Sequence, residues 1–565
     1  MKDGLGYCVE IYAQNDVHGR FFDTPYYEGD AGTSLANVST LLKERREAIG
    51  ARRVMALDCG DFLQGDMASC YANLQHTHNG CREHLFPRIA RYLGLDAVVF
   101  GNHDFEAGKE IYGKVHRELV ECGIHVLGGN AVCSTTGKGY FPSYSIIEKG
   151  GLRIAVVGMT NPCIPKWLPR HLWDGMEFLP LLNIVQKSID EIRSSNSADV
   201  VAVMLHSGIG ADDEPLHENS QNQALALARA LEGADIIFAS HDHTDSCLKI
   251  GDTLVMAARS HAACVQKAAI RYRMESGKCR VEAIEGEIVP MGDYPPDKGY
   301  LAHFAEDAQG VRQYMEEAVG VLHKDIYTSD ALFGVNDYVN MLHAVQFYAT
   351  GAQISFAAPY AYNAVIKRGA VKRKDIFLLH SCENTLYKIR MSGAQIKGYL
   401  EHSYSKWVTE PSLNSGGLLR HCMTCTDGVE YWWPEHLTYN FDAAAGINYV
   451  VDITAAPGNM VKISSLADGT PFSMEGIYTV ALSSYRTSGG GDLIDIGAGI
   501  DPLEELEGIT VGKYPLIRDL VEVFLSEGKS YGNVPGHWEF VPKEKAAQAI
   551  GRDVRLMNLK VSAGL

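Results

Sequence analysis

The stretch Ala97-Val98-Val99-Phe100-Gly101-Asn102-His103-Asp104 joins a continuous apolar run to a glycine and three polar groups. An uninterrupted run of this kind fits a strand buried on both faces. The carboxyl end of such a strand is where α/β architectures hold ligands. The same arrangement recurs outward along the chain. Cys8 to Ala13 leads to Asp16-Val17-His18, and Val54 to Leu57 leads to Gly60-Asp61. Val200 to Leu205 leads to His206-Ser207-Gly208, and Ile236 to Ala239 leads to Ser240-His241-Asp242-His243. Any one of these has an ordinary alternative, a core histidine or a Gly-Asp turn. Five of them at strand ends point to one shared site, in a layered α/β domain of two packed sheets with helices outside.

Asp16, His18, Asp61, Asn102, His206, His241 and His243 are seven candidate ligands. One tetrahedral cation takes about three or four. Seven fit two cations if a carboxylate bridges them, and Asp61, with two oxygens and a preceding glycine, suits that role. Such pairs sit roughly 3.5–4 Å apart and clamp the oxygens of an in-line phosphoryl displacement. Imidazole, carboxylate and amide together suit Zn, Mn, Fe or Co. Asp16 and Asp61 supply two negative charges against four positive ones. The site stays cationic, which favours an anionic substrate and lowers the pKa of bound water.

The order Asp-x-His, Gly-Asp, Gly-Asn-His-Asp, His, His-x-His resembles the calcineurin-like metallophosphoesterase family. The fuller strings Asn15-Asp16-Val17-His18-Gly19, Gly60-Asp61-Phe62-Leu63-Gln64-Gly65 and Gly101-Asn102-His103-Asp104-Phe105-Glu106 resemble its two-domain, nucleotide-hydrolysing branch. The resemblance implies one cation on Asp16, His18, Asp61 and His243. It implies the other on Asp61, Asn102, His206 and His241. It implies that His103 is the catalytic histidine, contacting phosphoryl oxygens and assisting the leaving group. Glu106 takes the place of the acid that orients it, where aspartate is the more familiar residue.

With 565 residues the chain exceeds a single core. We expect a metallophosphoesterase domain over 1–290, a linker helix over 291–325 and a substrate domain over 326–565. The break is the turn-rich Gly292-Asp293-Tyr294-Pro295-Pro296-Asp297-Lys298-Gly299, followed by a helical pattern from Tyr300 to Val319. Hydrophobic residues at 46% and charged residues at 21% are ordinary for a globular protein. A net charge of −18 argues against polymeric nucleic acid and against an anionic membrane surface as partners. A small nucleotide remains admissible, because the cations reverse the local sign. No apolar stretch approaches the roughly 20 residues of a membrane helix. Met1-Lys2-Asp3-Gly4 leads straight into the first strand, so the chain reads as cytoplasmic without a signal peptide. Members of the branch are commonly exported, and a removed leader is the alternative. The 13 cysteines are scattered without a disulfide spacing. Cys422-Met423-Thr424-Cys425 is a single pair that reads as ordinary loop cysteines rather than a zinc site, and Gly369-Ala370-Val371 reads as a turn.

Phosphoester chemistry needs only the first domain, so the second is expected to select the substrate. Tyr439, Phe441 and Tyr485 can stack a base, which contributes about 1–3 kcal/mol per base. The glycines before Asp492 permit close backbone approach. Spacing alone leaves these residues open between a base sandwich and a core with a turn. The second domain resembles the C-terminal domain of the 5′-nucleotidase superfamily, and that resemblance implies Tyr439 or Phe441, Tyr485 and Asp492 as substrate contacts. Typical 5′-nucleotidases carry a Gly-Gly-x-Arg-type loop for the terminal phosphate. Here Phe356-Ala357-Ala358-Pro359-Tyr360-Ala361-Tyr362-Asn363 holds no arginine. This stretch, with Asn384-Thr385-Leu386 and Tyr485-Arg486, looks more like the 2′,3′-cyclic-nucleotide 2′-phosphodiesterase/3′-nucleotidase family. The expectation is a dinuclear nucleotide phosphoesterase in which a metal-bound hydroxide attacks phosphorus and His103 assists. The rivals are a 5′-nucleotidase or nucleotide-sugar hydrolase, with Arg368, Arg420 or Arg486 gripping the phosphate, and a non-catalytic nucleotide-binding protein.

Overall fold

The computed structural model describes residues 6–23, 32–79, 83–211, 216–217, 220–275, 278–380, 382, 384–410, 416–426 and 429–563. The chain divides into two compact units, Met1–Tyr314 and Met315–Leu565.

Twelve strands of the first unit make two six-stranded sheets. They are β1 (Gly6–Gln14), β2 (Val54–Asp58), β3 (Ala97–Val99), β4 (His125–Leu127), β5 (Tyr144–Lys149), β6 (Leu152–Met159), β7 (Val200–Leu205), β8 (Ile236–Phe238), β9 (Ser246–Ile250), β10 (Thr253–Ala257), β11 (Cys264–Glu275) and β12 (Lys278–Pro290). One sheet has the order β12-β11-β1-β2-β3-β4, the other β9-β10-β8-β7-β6-β5. Strands β1 to β4 run parallel, as do β6, β7, β8 and β10. The central strands β2 and β7 are buried at every residue, as continuous apolar runs demand. Ile11, Leu57 and Val99 of one sheet share a core with Val156, Met204 and Phe238 of the other. Helix Leu181–Ser194 buries Leu181, Val185, Ile189 and Ile192, at three- and four-residue spacing. That stripe joins a cluster with Ala155, Val157, Val201 and Val203. The layered α/β reading holds. What matters for function is that β1, β2, β3, β7 and β8 release their chains at the same ends of parallel strands.

The second unit is built on a five-stranded sheet. Its strands are β13 (Ile354–Ala357), β14 (Thr385–Ser392), β15 (Ala443–Ala445), β16 (Ile477–Ser483) and β17 (Thr510–Leu516), in the order β15-β13-β16-β14-β17. Only β13 and β16 pair in parallel. Helix Asp337–Thr350 packs its Tyr338, Leu342 and Val345 into one core. Helix Gly393–Trp407 packs Ile396, Tyr399, Leu400 and Trp407 into another. Asn336 and Ser392 cap these helices by accepting from Val339 and Gln395 N–H.

Two local expectations differ from the structure. The single helix from Tyr300 to Val319 is two helices, Lys298–His303 and Ala305–Glu316, followed by a strand over Ala318–Leu322. Gly369-Ala370-Val371 is not a turn but a strand, Gly369–Lys372, because Ala318–Leu322 is there to pair with it. The two strands are not readable locally, since their pairing depends on a distant partner. Among the described residues, no helix is long and apolar enough to cross a membrane.

Candidate metal centre

The loops that leave the parallel strands bring two groups of ligand atoms together. Asp16, His18 and His243 form one group, and Asp61, His206 and His241 the other; within each, the ligand atoms lie within 4.8 Å of one another. His18 Nε2 stands 3.1 Å from His243 Nε2, which stands 3.7 Å from Asp16 Oδ1. His206 Nε2 stands 3.1 Å from Asp61 Oδ2 and 3.1 Å from Asn102 Oδ1. All seven predicted ligands are therefore near neighbours, although they span more than two hundred residues of sequence. Asp16, Asp61, His206, Asn102 and His18 are buried. His241 is half-buried and His243 exposed, so the centre faces solvent on that side.

This donor set fits two divalent cations. Asp16 Oδ1 is buried and accepts no hydrogen bond. The two facing imidazole nitrogens of His18 and His243 can share at most one proton, whereas a cation satisfies both lone pairs. The outer ring nitrogens are already committed. His18 donates Nδ1–H to the Gln64 carbonyl (3.1 Å), and His206 donates Nδ1–H to the Cys59 carbonyl (2.8 Å). Each bond turns Nε2 inward, the usual way a protein fixes a ligating imidazole. Trp167 stacks on His241 at 5.2 Å, and Gln221 Oε1 lies 3.2 Å from its Nε2.

The backbone around the centre is strained. Asp16, His18, Asp61, His241 and His243 all have positive φ, between 45° and 79°. Such conformations persist where the surroundings over-determine them. The Asp104 carboxylate does much of this, accepting N–H bonds from Asp61, Phe62, Leu63 and Gly101 at 2.8–2.9 Å. Asp104 was visible only as part of a motif; the signal for its role is an acid in the first turn of helix Asn102–Glu106.

His103 is the second residue of that helix, next to Asn102. Its N–H donates to Asp61 Oδ1 (2.9 Å), and its Nδ1 stands 3.1 Å from Glu106 Oε1, one turn on. Glu106 is thus placed to orient the ring. Burial alone would lower the His103 pKa, but the Glu106 and Asp61 charges outweigh it and push it up to about 10. Burial and the neighbouring His206 charge push His241 down to about 3. Opposed shifts packed this closely mark functional clefts.

In the second unit, the predicted substrate contacts separate. Tyr439 and Tyr485 meet edge to face, with centroids 6.1 Å apart at 78°. Phe441 lies elsewhere: it is buried and stacks on Trp407 within the core. The physical reason is that Thr438–Asn440 is a helical turn, so Tyr439 and Phe441 do not share a face as alternating strand residues would. Asp492 pairs with Lys406 Nζ at 2.9 Å. Arg486 is buried and fully used. Its guanidinium donates to both Asp442 oxygens, to the Gly490 carbonyl, to Asn440 and to the Tyr439 carbonyl. It cannot also grip a phosphate. Arg420 donates to the Ser405 carbonyl, and Arg368 N–H donates to Asp325. Cys422 and Cys425 lie on the strand His421–Thr426 rather than in a loop. Three apart on a strand, they point to opposite faces and cannot share a cation.

Residues 10–245 match the family model for the calcineurin-like phosphoesterase, and residues 318–496 match that for the 5′-nucleotidase C-terminal domain. A 2′,3′-cyclic-nucleotide 2′-phosphodiesterase/3′-nucleotidase of Salmonella typhimurium is 22% identical over 550 residues, covering 85% of this chain and 81% of the relative. A 5′-nucleotidase of Vibrio cholerae is 28% identical over 253 residues, covering 44% of this chain and 42% of its own. Among solved structures, a 5′-nucleotidase precursor from Thermus thermophilus has a TM-score of 0.62 at 19% identity, covering 95% of this chain and all of its own (100%). At that identity the last likeness carries the fold alone.

Proposed function

We propose, for a chain that belongs through both its domains to the calcineurin-like phosphoesterase and 5′-nucleotidase superfamily, that it hydrolyses the phosphoesters of small nucleotides, and that its preferred substrates are 2′,3′-cyclic nucleotides and 3′-nucleotides. The observation that carries the hydrolase reading is the pair of ligand groups, with His103 beside them. Asp16, His18 and His243 would hold one divalent cation, and Asn102, His206 and His241 the other, with Asp61 shared. When bound, such a pair supplies Lewis-acid polarisation and an activated water. We propose Mn, Zn, Fe or Co, since the donors are imidazole, carboxylate and amide.

The chain's own residues supply the rest. His103 reaches the phosphoryl group of the bound anion and passes a proton to the leaving oxygen. Glu106 fixes its ring through Nδ1. Asp104 holds the loop of Asp61 by its four N–H bonds, so the shared carboxylate does not drift as charge redistributes. Tyr439 and Tyr485 contact the base. Their edge-to-face pose leaves no base-wide slot, because a sandwiched base needs roughly 7 Å, two van der Waals contacts. One ring turns to admit the base, or the base stacks on a single face.

Two observations support the 3′ and cyclic preference over the 5′ one. A cyclic phosphodiesterase/3′-nucleotidase matches over 85% of the chain, whereas the match to the Vibrio cholerae 5′-nucleotidase covers 44%. No arginine lies in the stretch 356–363, and Arg486, the buried candidate, is consumed by Asp442. The deciding experiment is hydrolysis of 2′,3′-cyclic AMP, 3′-AMP and 5′-AMP side by side, with Mn²⁺ and with a chelator. Turnover of the first two, lost to the chelator, is the expected result. Faster turnover of 5′-AMP would overturn the preference and leave the hydrolase reading standing. A protein that binds all three and turns over none would be a binding protein.

A further inference from the structure

Between β10 and β11 the chain crosses from one sheet of the first unit to the other through residues 258–263. The crossing is tied along its length. Asn15 Nδ2 donates to the Ala258 carbonyl (2.8 Å). Arg259 N–H donates to Asp245 Oδ1 (2.8 Å), and its guanidinium pairs with the same carboxylate at 2.7 Å. His261 N–H donates to the carbonyl of Asp16 (2.8 Å), and Met291 N–H to that of Ala263 (2.9 Å).

Within the crossing, Ala263 N–H returns to the Ser260 carbonyl at 3.0 Å and closes a four-residue turn. Its central residues, His261 and Ala262, have φ of 58° and 53°. Two positive central φ values define a type I′ turn, which selects Asn and Gly. Histidine and alanine are strained there. Eleven non-glycine residues have positive φ among the described residues; five are the predicted ligands and two are this pair. Strain of this kind gathers at functional sites.

What the strained turn presents is an imidazole. The His261 ring centroid lies 5.3 Å from that of His18 and 6.2 Å from that of His243. His103 is the other non-ligand imidazole near His18, at 5.4 Å. The His261 side chain is exposed, so it is not kept for packing. Ser260 Oγ, 2.8 Å from Nδ1, sets the rotation of the ring. The ring belongs to neither ligand group.

We propose that His261 is a second substrate-contacting imidazole: it hydrogen-bonds a non-bridging phosphoryl oxygen of the anion on which His103 also acts. The inference rests on the phosphoesterase reading above. It explains why a turn that glycine would relax carries histidine instead.

Two variants test it. His261→Asn keeps a residue that tolerates the left-handed region, and His261→Gly removes the strain. Each is compared with the wild type for bound metal, melting temperature, turnover of bis(p-nitrophenyl) phosphate and inhibition by inorganic phosphate. Both variants are expected to keep their metal. The Gly variant is expected to melt above the wild type. Both are expected to lose roughly 10- to 100-fold in kcat/KM, the loss of one hydrogen bond to a charged group. Phosphate inhibition should weaken in parallel. Unchanged kcat/KM with unchanged phosphate inhibition would overturn the proposal. So would loss of metal from the Asn variant, which would make His261 a ligand. A metal-loaded wild type inert toward the diester would bring down the phosphoesterase reading itself, whereas an active wild type with indifferent variants brings down only the role of His261.

Discussion

His103 and Glu106 are separated by one helical turn, and their side chains stand 3.1 Å apart. A glutamate in this position reaches the ring because the i, i+3 spacing puts both residues on one face. His103 holds no cation in our reading, and its N–H, not its ring, contacts Asp61. Removing the ring should therefore remove chemistry and leave the ligand groups. His103→Ala is expected to lower kcat by about 10²–10⁴-fold, the range for a general acid or base. Bound metal, measured by elemental analysis, should stay at the wild-type level. Glu106→Gln should cost less, about 10–100-fold, because it loosens the ring without deleting it. A His103→Ala protein that lost its metal would show that the histidine is a ligand or a support.

The strand-to-loop junctions carry the site, and their glycines are there for space. A Cβ on Gly101 would sit 2.1 Å from Asp61 Oδ1 and 2.4 Å from His206 Cε1. A Cβ on Gly60, at φ 100°, would meet Gly101 N at 2.6 Å. Neither neighbour can retreat, since His206 is pinned by the Cys59 carbonyl and Asp61 by Asp104. Gly101→Ala is thus expected to abolish metal binding and activity together while far-UV circular dichroism stays native. A variant that still bound two cations would mean that the junction is softer than its hydrogen bonds imply. These junctions were also the most legible part of the chain. Val200–Leu205 is a strand at the bounds its apolar run shows, and the buried residues of helix Leu181–Ser194 recur at three- and four-residue spacing. Continuous runs and helical stripes are local signals, so sequence suffices for them. What depends on a distant partner was not legible. The strand at Gly369–Lys372 exists through pairing with Ala318–Leu322. Phe441 was inseparable from Tyr439 until Trp407 packed on it. His261 carries no periodicity or motif and comes into view only as a neighbour of His18.

Each unit of the whole molecule has its own core, and the second has an acid sensitivity built into it. His343 and His380 are buried there, at 2% and 0% exposure. His343 Nδ1 stands 2.8 Å from Ser355 Oγ, which donates to Gln346 Oε1. His380 packs on the Tyr360 ring at 4.1 Å, with Nδ1 3.0 Å from the Cys382 carbonyl. Burial lowers both to about 3, and the Arg518 charge adds to the effect at His380. Both are therefore neutral when folded, whereas in the unfolded chain they protonate near pH 6.5. Between pH 6.5 and about 3 the unfolded chain binds more protons, so acid favours unfolding. Each ring should remove about 1.4 kcal/mol of stability per pH unit in that window, and nothing above it. Two rings at pH 5.5 should cost about 2.7 kcal/mol, a large share of the 5–15 kcal/mol by which a typical domain is stable. His343→Gln keeps a polar partner for Ser355 but cannot protonate. Calorimetric melts of the full chain from pH 7.5 to 5 should show a transition that falls with acid in the wild type and falls less steeply in the variant. Equal slopes would mean that the His343 site opens to water before the unit unfolds, and that its burial sets no limit on the pH at which the enzyme works.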